Sequence, residues 1–189
     1  MNIKASIRNE VKESLQQLTS ETHKTWSDEI ANTLFETNWW QESTVIALTI
    51  SRGKEVSTTS IIQKAWESGK TVVVPKCDPK DYSMKFYKIT SFSQLETVYF
   101  GLKEPIVSKT VYYDARDIDL IVVPGVVFAK DGYRIGYGGG YYDRYLVHFH
   151  GKKIALAFSI QLQQEVPFEQ HDIPVEAIVT NEGVIVCHD

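Results

Sequence analysis

The sequence predicts an α/β protein: an open, mainly parallel sheet flanked by helices on both faces, a Rossmann-like three-layer plan, entered through N-terminal helices. Three observations carry that reading. Runs rich in Val, Ile and Leu at residues 44–50, 71–74, 119–123, 154–158 and 177–180 are near-continuously apolar, as strands covered on both faces are. Segments of helical periodicity stand before and between them. No internal repeat or linker interrupts the 189 residues, which read as one domain spanning 1–189.

Taken in order, Ile3, Ile7, Val11, Leu15 and Leu18 recur at the i, i+4 spacing of one apolar helical stripe. Thr19-Ser20-Glu21 is a start signal for a second helix, whose stripe is Trp26, Ile30 and Leu34. A strand is expected at 44–50 and a helix at 58–68, stopped by Gly69. Residues 71–74 form a short strand closed by Pro75. The stretch from 78 to 117 is less regular, with an extra strand at 84–87 and a loop at 99–105. Strands at 119–123, 154–158 and 177–180 follow. Ligands of open α/β sheets collect at the carboxyl ends of strands. The loops 51–55, 75–76, 124–142 and 159–163 all follow strands and are expected to line one crevice.

Composition narrows the function. The chain is 43% hydrophobic and 23% charged, with a formal net charge of −4, which argues against a broad nucleic-acid-binding surface but allows a local basic pocket. Cys77 and Cys187 lie far apart, and with His23, His148, His150, His171 and His188 they form no metal-ligand constellation. Two incidental thiols suit a reduced, cytoplasmic protein. The chain is polar from Lys4 onward, and no apolar run approaches the roughly 20 residues of a membrane span. The expected partners are small-molecule substrates, with no nucleic acid and no membrane, and the expected state is a monomer.

The most informative stretch is 119–146. It joins a buried strand, a turn, Arg134, the glycines Gly136, Gly138, Gly139 and Gly140, and a helix opening on Tyr141, Tyr142 and Asp143. Glycines let a ligand approach backbone N–H groups closely, and the following helix start favours negative charge. Arg134 adds a permanent cation and Asp143 a hard oxygen suited to magnesium. The loop is neither common nucleotide motif. Counting from Gly136, the sixth position of a dinucleotide fingerprint is Tyr141, and no Gly-Lys-Ser/Thr closes it as in a P-loop. Because the loop lies between a Val/Ile strand and an aromatic helix start, polyphosphate binding is a better reading than a solvated turn.

Val-Val-Pro-Gly-Val-Val-Phe (122–128) followed by Gly-Tyr-Arg-Ile-Gly-Tyr-Gly-Gly-Gly-Tyr-Tyr-Asp-Arg (132–144) closely resembles the signature of the 5-formyltetrahydrofolate cyclo-ligase (methenyltetrahydrofolate synthetase) family. The resemblance takes in Lys4 and Arg8, Glu55-Val56-Ser57-Thr58, Gly101-Leu102-Lys103-Glu104-Pro105, and Val166-Pro167 with His171-Asp172. Many members are acidic where Ala129 stands here, so that position is given no chemical role. The resemblance implies that ATP, the co-substrate, is held by Lys4, Arg8, Arg134, Ile135, Gly136, Tyr137, Gly138, Gly139, Gly140, Tyr141 and Tyr142. It implies folate contacts from Ile50, Glu55, Tyr137, Gly138, Gly139, Gly140 and Tyr141, and Mg2+ ligation by Asp143 and Asp172. The family reaction cyclises 5-formyltetrahydrofolate to the 5,10-methenyl form as ATP is cleaved to ADP and phosphate. Arg134 is then the candidate catalytic cation at the transferred phosphoryl group.

The residues by themselves leave alternatives. Lys4 and Arg8 share a helical face, as phosphate ligands or as solvated surface charge. Arg134 has the alternative of pairing with a nearby acid. Asp143 serves equally as a helix-start acid, Asp172 as a turn former before Ile173-Pro174, and Glu55 as an ordinary loop acid. Of Phe128, Tyr133, Tyr137, Tyr141 and Tyr142, one or two are expected against a substrate ring and the rest in the core. Lys76, Lys130 and Arg144 are candidates for the folate's glutamate tail. Two other functions fit an α/β plan with a glycine loop. One is a sugar-phosphate isomerase or acyl-CoA transferase, with Glu55 as its only candidate nucleophilic carboxylate. The other is a non-catalytic sensor of a phosphorylated metabolite, disfavoured by the lack of a basic recognition helix.

Overall fold

The structure, a computed structural model, describes residues 2–187. His188, one of the histidines weighed above, lies outside them. The N-terminal stripes become α1 (Ile3–Gln16) and α2 (Ser20–Glu36). Asn2 caps the first by accepting from the Lys4 and Ala5 amides, and Thr19 caps the second by accepting from Thr22. Only the inner part of the first stripe is buried: Val11 and Leu15 face the core, while Ile3 is exposed. A short α3 (Asn38–Gln41) precedes β1, α4 (Thr59–Glu67) follows it, and α5 (Tyr141–Leu146) follows the glycine loop. Gly69, at φ +76°, turns the chain out of α4 in a left-handed conformation that residues with a Cβ rarely adopt.

The thirteen strands of the described chain are β1 (Val45–Ala47), β2 (Thr71–Asp78), β3 (Ser83–Ile89), β4 (Leu95–Thr97), β5 (Lys103–Pro105), β6 (Val111–Tyr113), β7 (Leu120–Val122), β8 (Val127–Ala129), β9 (Arg134–Ile135), β10 (Lys152–Ala157), β11 (Leu162–Gln163), β12 (Ala177–Thr180) and β13 (Gly183–Val186). Eight of them form one sheet in the order β13-β12-β10-β7-β1-β2-β3-β6. The central pairs β12/β10, β10/β7, β7/β1 and β1/β2 are parallel, and the outer strands β13, β3 and β6 are antiparallel. The mainly parallel sheet therefore stands, finished by antiparallel edges.

Successive strand residues feed two cores. Ile46, Val72, Leu120, Ile154 and Val179 face Leu15, Ile30, Leu34, Ile61 and Ile62 of α1, α2 and α4. Ala47, Val73, Ile121, Ala155 and Ile178 face the other way, onto Leu146 of α5 and loop residues such as Ile118, Phe149 and Val175. Helices thus lie on both faces, but the second face has only one short helix. Each fully buried Val, Leu or Ile side chain among them contributes about 1.5–3 kcal/mol of transfer free energy.

The local expectations need three corrections. The 44–50 strand is only three residues, because after Leu48 the chain turns away, with the Thr49 carbonyl accepting from the Thr58 hydroxyl. Pro75 does not close its strand: β2 continues to Asp78, with Pro75 opposite Phe86 of β3. There β2 has outrun β1, so the missing N–H of Pro75 faces no strand, and the next amide on that side, Cys77, donates to Glu104 at 2.8 Å instead. Residues 99–105 are not simply a loop, since they end in β5, which pairs with β4 as a hairpin.

Chain direction across the sheet reverses at β1 and β7. The connection after β1 leads through α4 to β2 on one side, and β7 continues to β10 and β12 on the other. That is the topological switch point of an open sheet, where ligands bind beyond the carboxyl ends. The segments leaving these two strands carry Glu55 and the glycine loop.

Candidate active site

Arg134 stands on β9, whose pairing with β8 puts the glycine loop at the crevice wall. The loop needs glycine where φ is positive, at Gly138 (φ +101°) and Gly140 (φ +70°). Two of its carbonyls are held by side chains from outside: Arg8 Nε donates to Gly136 O at 2.7 Å, and Arg144 Nη1 donates to Gly139 O at 3.1 Å. Among the described residues, no protein acceptor takes the amide N–H of Gly136, Tyr137, Gly138, Gly139 or Gly140. The loop therefore offers donors to a ligand, while three of its acceptors, Gly136 O, Gly139 O and Gly140 O, are occupied, the last by the Arg144 amide.

A crevice of about 660 Å³ runs beside this loop. Its lining includes Lys4, Arg8, Ile50, Glu55, each residue from Arg134 to Asp143, and Asp172. Every residue expected from the sequence at the nucleotide, folate and metal positions thus meets in one cavity. Of the strand-end loops, 159–163 is the one that stays outside it; Gln161 lines a neighbouring chamber instead. Three of the five aromatics, rather than one or two, border the crevice. Phe128 is fully buried and Tyr133 stacks on Phe168 at 3.9 Å, whereas Tyr137, Tyr141 and Tyr142 line the crevice.

The charged groups are tied to one another. Arg134 is 9% exposed; its Nη1 donates to Ile173 O at 2.7 Å and its Nη2 to Asp143 Oδ1 at 3.1 Å. It therefore does pair with an acid, while still bordering the crevice. Asp143 is an acid of the first turn of α5, as its helix-start alternative had it, but not its cap: Gly140 stands at the cap position and Asp143 Oδ1 also accepts from the Ile173 amide. Asp172 Oδ2 accepts from Lys4 Nζ at 3.2 Å and from the Glu169 amide at 2.8 Å, joining α1 to the crevice. Burial works against the Asp172 carboxylate, but the Glu169 amide and Lys4 prevail and hold its pKa below the usual range.

On the opposite wall both oxygens of Glu55 are occupied. Tyr137 OH donates to Oε2 at 2.6 Å across 82 residues of sequence, and the Arg52 amide donates to Oε1 at 2.7 Å. Burial, and then the Glu55 charge, push the Tyr137 hydroxyl pKa far above its ordinary value. The Tyr142 hydroxyl is buried with no partner among the described residues, and burial raises its pKa as well.

Some site residues were not singled out from the sequence. His23 Nε2 lies 2.7 Å from Glu55 O and so braces that loop. Glu104 is buried, its Oε2 taken by the Cys77 amide and its Oε1 3.5 Å from Lys76 Nζ. Burial foremost, with Glu104 adding to it, raises the Cys77 thiol to about 11, so it is no nucleophile at neutral pH. A charged residue directly before Pro105 was the one available signal for Glu104. A lone histidine on an amphipathic helix gave none for His23.

Two carboxylates from separate segments, Asp143 and Asp172, are enough for magnesium, which keeps several waters and takes its remaining ligands from phosphate. Of the two, Asp143 Oδ2 has no partner among the described residues, whereas Asp172 Oδ2 is held by Lys4 and the Glu169 amide. Among the described residues, no group of three or more His, Cys, Asp or Glu is arranged to hold a metal, and no helix is long and apolar enough to cross a membrane.

The model of the 5-formyltetrahydrofolate cyclo-ligase family matches residues 1–181. A probable 5-formyltetrahydrofolate cyclo-ligase of Caenorhabditis elegans is 30% identical, covering 99% of this chain and 96% of its own length. The Mus musculus 5-formyltetrahydrofolate cyclo-ligase is also 30% identical, over 95% of this chain and 94% of its own. The solved Aquifex aeolicus 5,10-methenyltetrahydrofolate synthetase superposes with a TM-score of 0.88 at 30% identity, covering 100% of this chain and 94% of that one. A Mycoplasma pneumoniae 5,10-methenyltetrahydrofolate synthetase, at 22% identity and a TM-score of 0.78, shares the fold, covering 95% of this chain and 99% of that one. The chain belongs to the 5-formyltetrahydrofolate cyclo-ligase family, and so is an enzyme of the ligase class.

Proposed function

We infer that the protein cyclises 5-formyltetrahydrofolate to 5,10-methenyltetrahydrofolate with cleavage of ATP to ADP and phosphate. The observation that carries this is the run of unclaimed amides at residues 136–140, in a cavity it shares with Lys4, Arg8, Arg134, Asp143 and Asp172. Donors, cations and hard oxygens around one space are what a metal-bound triphosphate requires.

The chemical obstacle is the formyl group, a weak electrophile whose oxygen leaves poorly. Transfer of the γ-phosphoryl group to that oxygen forms an O–P bond, breaks the terminal phosphoanhydride bond and makes the formyl carbon attackable. Nitrogen 10, carried on the same folate, then closes the five-membered ring. Loss of the nitrogen 10 proton to water or the departing phosphate, and of phosphate with its oxygen, leaves the cationic methenyl bridge. No protein nucleophile enters.

The protein's work is placement and charge compensation. The loop amides and Arg134 offset negative charge on the transferring phosphoryl group. Lys4 and Arg8 bring α1 against the nucleotide. Asp143 and Asp172 would hold Mg2+, which shields the phosphate charges. Glu55 accepts from the N–H donors of the pterin once Tyr137 releases it, beside the apolar wall of Ile50. Tyr137 and Tyr141 offer faces for the ring.

The test follows absorbance of the conjugated methenyl product when the purified protein meets 5-formyltetrahydrofolate. Product is expected only with ATP and magnesium together. Product formed equally well without nucleotide would overturn the phosphoryl-transfer mechanism.

A further inference from the structure

Among the described residues, two that are not glycine adopt a positive φ, Tyr82 (+58°) and Phe100 (+59°). A Cβ makes that conformation unfavourable, and it persists where the surroundings impose it. Tyr82 ends the turn 79–82 between β2 and β3. Asp78 Oδ1 accepts from the Lys80 amide at 3.0 Å and Asp81 Oδ1 from the Ser83 amide at 2.9 Å, so the turn is fixed by its own side chains. The Tyr82 ring reaches α5. Its centre lies 5.7 Å from that of Tyr141, and the Arg144 guanidinium sits over it at 4.9 Å.

Arg144 is exposed, does not border the crevice and has no carboxylate partner among the described residues. Its Nη1 donates to Gly139 O at 3.1 Å. A Cβ on Gly140 would stand 2.6 Å from that same nitrogen, so glycine at 140 is what lets the guanidinium reach the carbonyl. The Gly139 C=O and the Gly140 N–H belong to one trans peptide plane and point opposite ways. With the carbonyl drawn to Arg144, the Gly140 N–H is turned from it, and no protein acceptor among the described residues takes it. Arg8 does the same at the other end of the loop, where its hold on Gly136 O orients the Tyr137 N–H. Arg8 borders the crevice, however, whereas Arg144 can reach a ligand there only through the loop.

We propose that Arg144 and Tyr82 are positioning residues of the nucleotide site: the Tyr82 ring seats the Arg144 guanidinium, which fixes the 139–140 peptide with its N–H free for a phosphate oxygen. The inference rests on the reading of residues 136–140 as the phosphate loop. A planar guanidinium can lie on a ring and donate in its own plane at once, which a lysine ammonium cannot. The turn after β2 thereby acts on nucleotide affinity without touching the nucleotide. This duty also takes Arg144 from the cations weighed for the folate's glutamate tail. Of the other two, Lys76 is engaged by Glu96 and Glu104, and Lys130 does not border the crevice.

The experiment is calorimetric titration with MgADP, with 5-formyltetrahydrofolate binding to the nucleotide-free protein as its control. Arg144→Ala is expected to weaken MgADP binding roughly tenfold, as loss of one charge-assisted hydrogen bond does. Tyr82→Ala is expected to weaken it about two- to fivefold, the range for an exposed cation–π contact. It should add nothing on an Arg144→Ala background. Tyr82→Phe keeps the ring face and should bind as the wild type does. Arg144→Lys keeps the charge and should recover only part of the loss. In labelled, nucleotide-free protein the Gly140 amide resonance is expected to move in both alanine variants, while that of Tyr137 stays. Unchanged MgADP affinity in Arg144→Ala overturns the inference, and full recovery by Arg144→Lys overturns it in favour of charge alone. Losses that multiply in the double variant break the link between Tyr82 and Arg144. A joint fall in nucleotide affinity, folate affinity and unfolding temperature makes the pair merely structural and overturns it too. Wild-type protein that binds folate but no MgADP overturns this inference and the proposed function together.

Discussion

The two walls of the crevice are built on opposite principles. The glycine loop, residues 136–140, has the carbonyls of Gly136, Gly139 and Gly140 held by Arg8 and Arg144 and its amides unclaimed among the described residues. The segment at 51–58 is tied at nearly every position. Glu55 is held through both carboxylate oxygens and its backbone carbonyl, and Ser51 and Thr58 exchange amide-to-hydroxyl bonds of 3.0 and 2.9 Å. One wall is a prepared set of donors awaiting charge. The other is a carboxylate already satisfied, which a substrate must take over from Tyr137. On the proposed reading, phosphate binding needs little rearrangement, while folate binding trades one hydrogen bond for another.

The hardest blow to this contrast is Arg134→Ala, since Arg134 joins the loop strand to Asp143 and Ile173. It leaves Asp143 without its cation and removes charge from the phosphoryl site. A loss of about 3 kcal/mol in unfolding free energy is expected, as when a buried pair is broken. A fall in kcat of roughly a hundredfold or more is expected with it. Thermal unfolding and turnover read the two effects separately. Near-normal kcat in a destabilised variant would make Arg134 structural only.

Glu55→Gln probes the other wall. The amide keeps the shape and loses the charge that pterin donors would meet. KM for the folate is expected to rise about tenfold, the value of one charge-assisted hydrogen bond, with the nucleotide KM unmoved. A rise in the nucleotide KM instead would mean that the two walls do not divide the substrates as described.

Gly138→Ala is the gentlest test. Nothing lies within 4 Å of the added Cβ, so its effect comes from backbone conformation at φ +101°. A cost of about 1–2 kcal/mol in loop conformation is expected to weaken nucleotide binding several-fold and to leave nucleotide-free folate binding unchanged. Calorimetric titration with each ligand distinguishes these outcomes.

The same contrast explains what was legible in the sequence. The glycine loop is specified by missing side chains and a positive φ, both written in residue identity, so Gly136 to Gly140 and their neighbours could be placed in advance. The parallel strands were legible for a similar reason: burial on both faces demands unbroken Val, Ile and Leu, as in Leu120–Val122 and Ala177–Thr180. Pro75 misled because its local rule ignores what lies alongside; β2 tolerates it only where β1 has ended. The β4/β5 hairpin and the buried Glu104 depend on the amide of Cys77, distant in sequence, which no periodicity reveals. Tyr82 and His23 looked like ordinary turn and helix residues, and their importance arises only where the β2–β3 turn meets α5 and where α2 meets the segment after β1.

The most direct measurement is a titration of isotopically labelled protein with MgADP or a slowly hydrolysed MgATP analogue, following backbone amide resonances. The account expects the amides of Gly136, Gly138, Gly139 and Gly140 to shift saturably and to gain protection from exchange, while Val56 and Leu156 in the neighbouring chamber change little. Saturable nucleotide binding that left those four amides unmoved and perturbed the neighbouring chamber instead would contradict it.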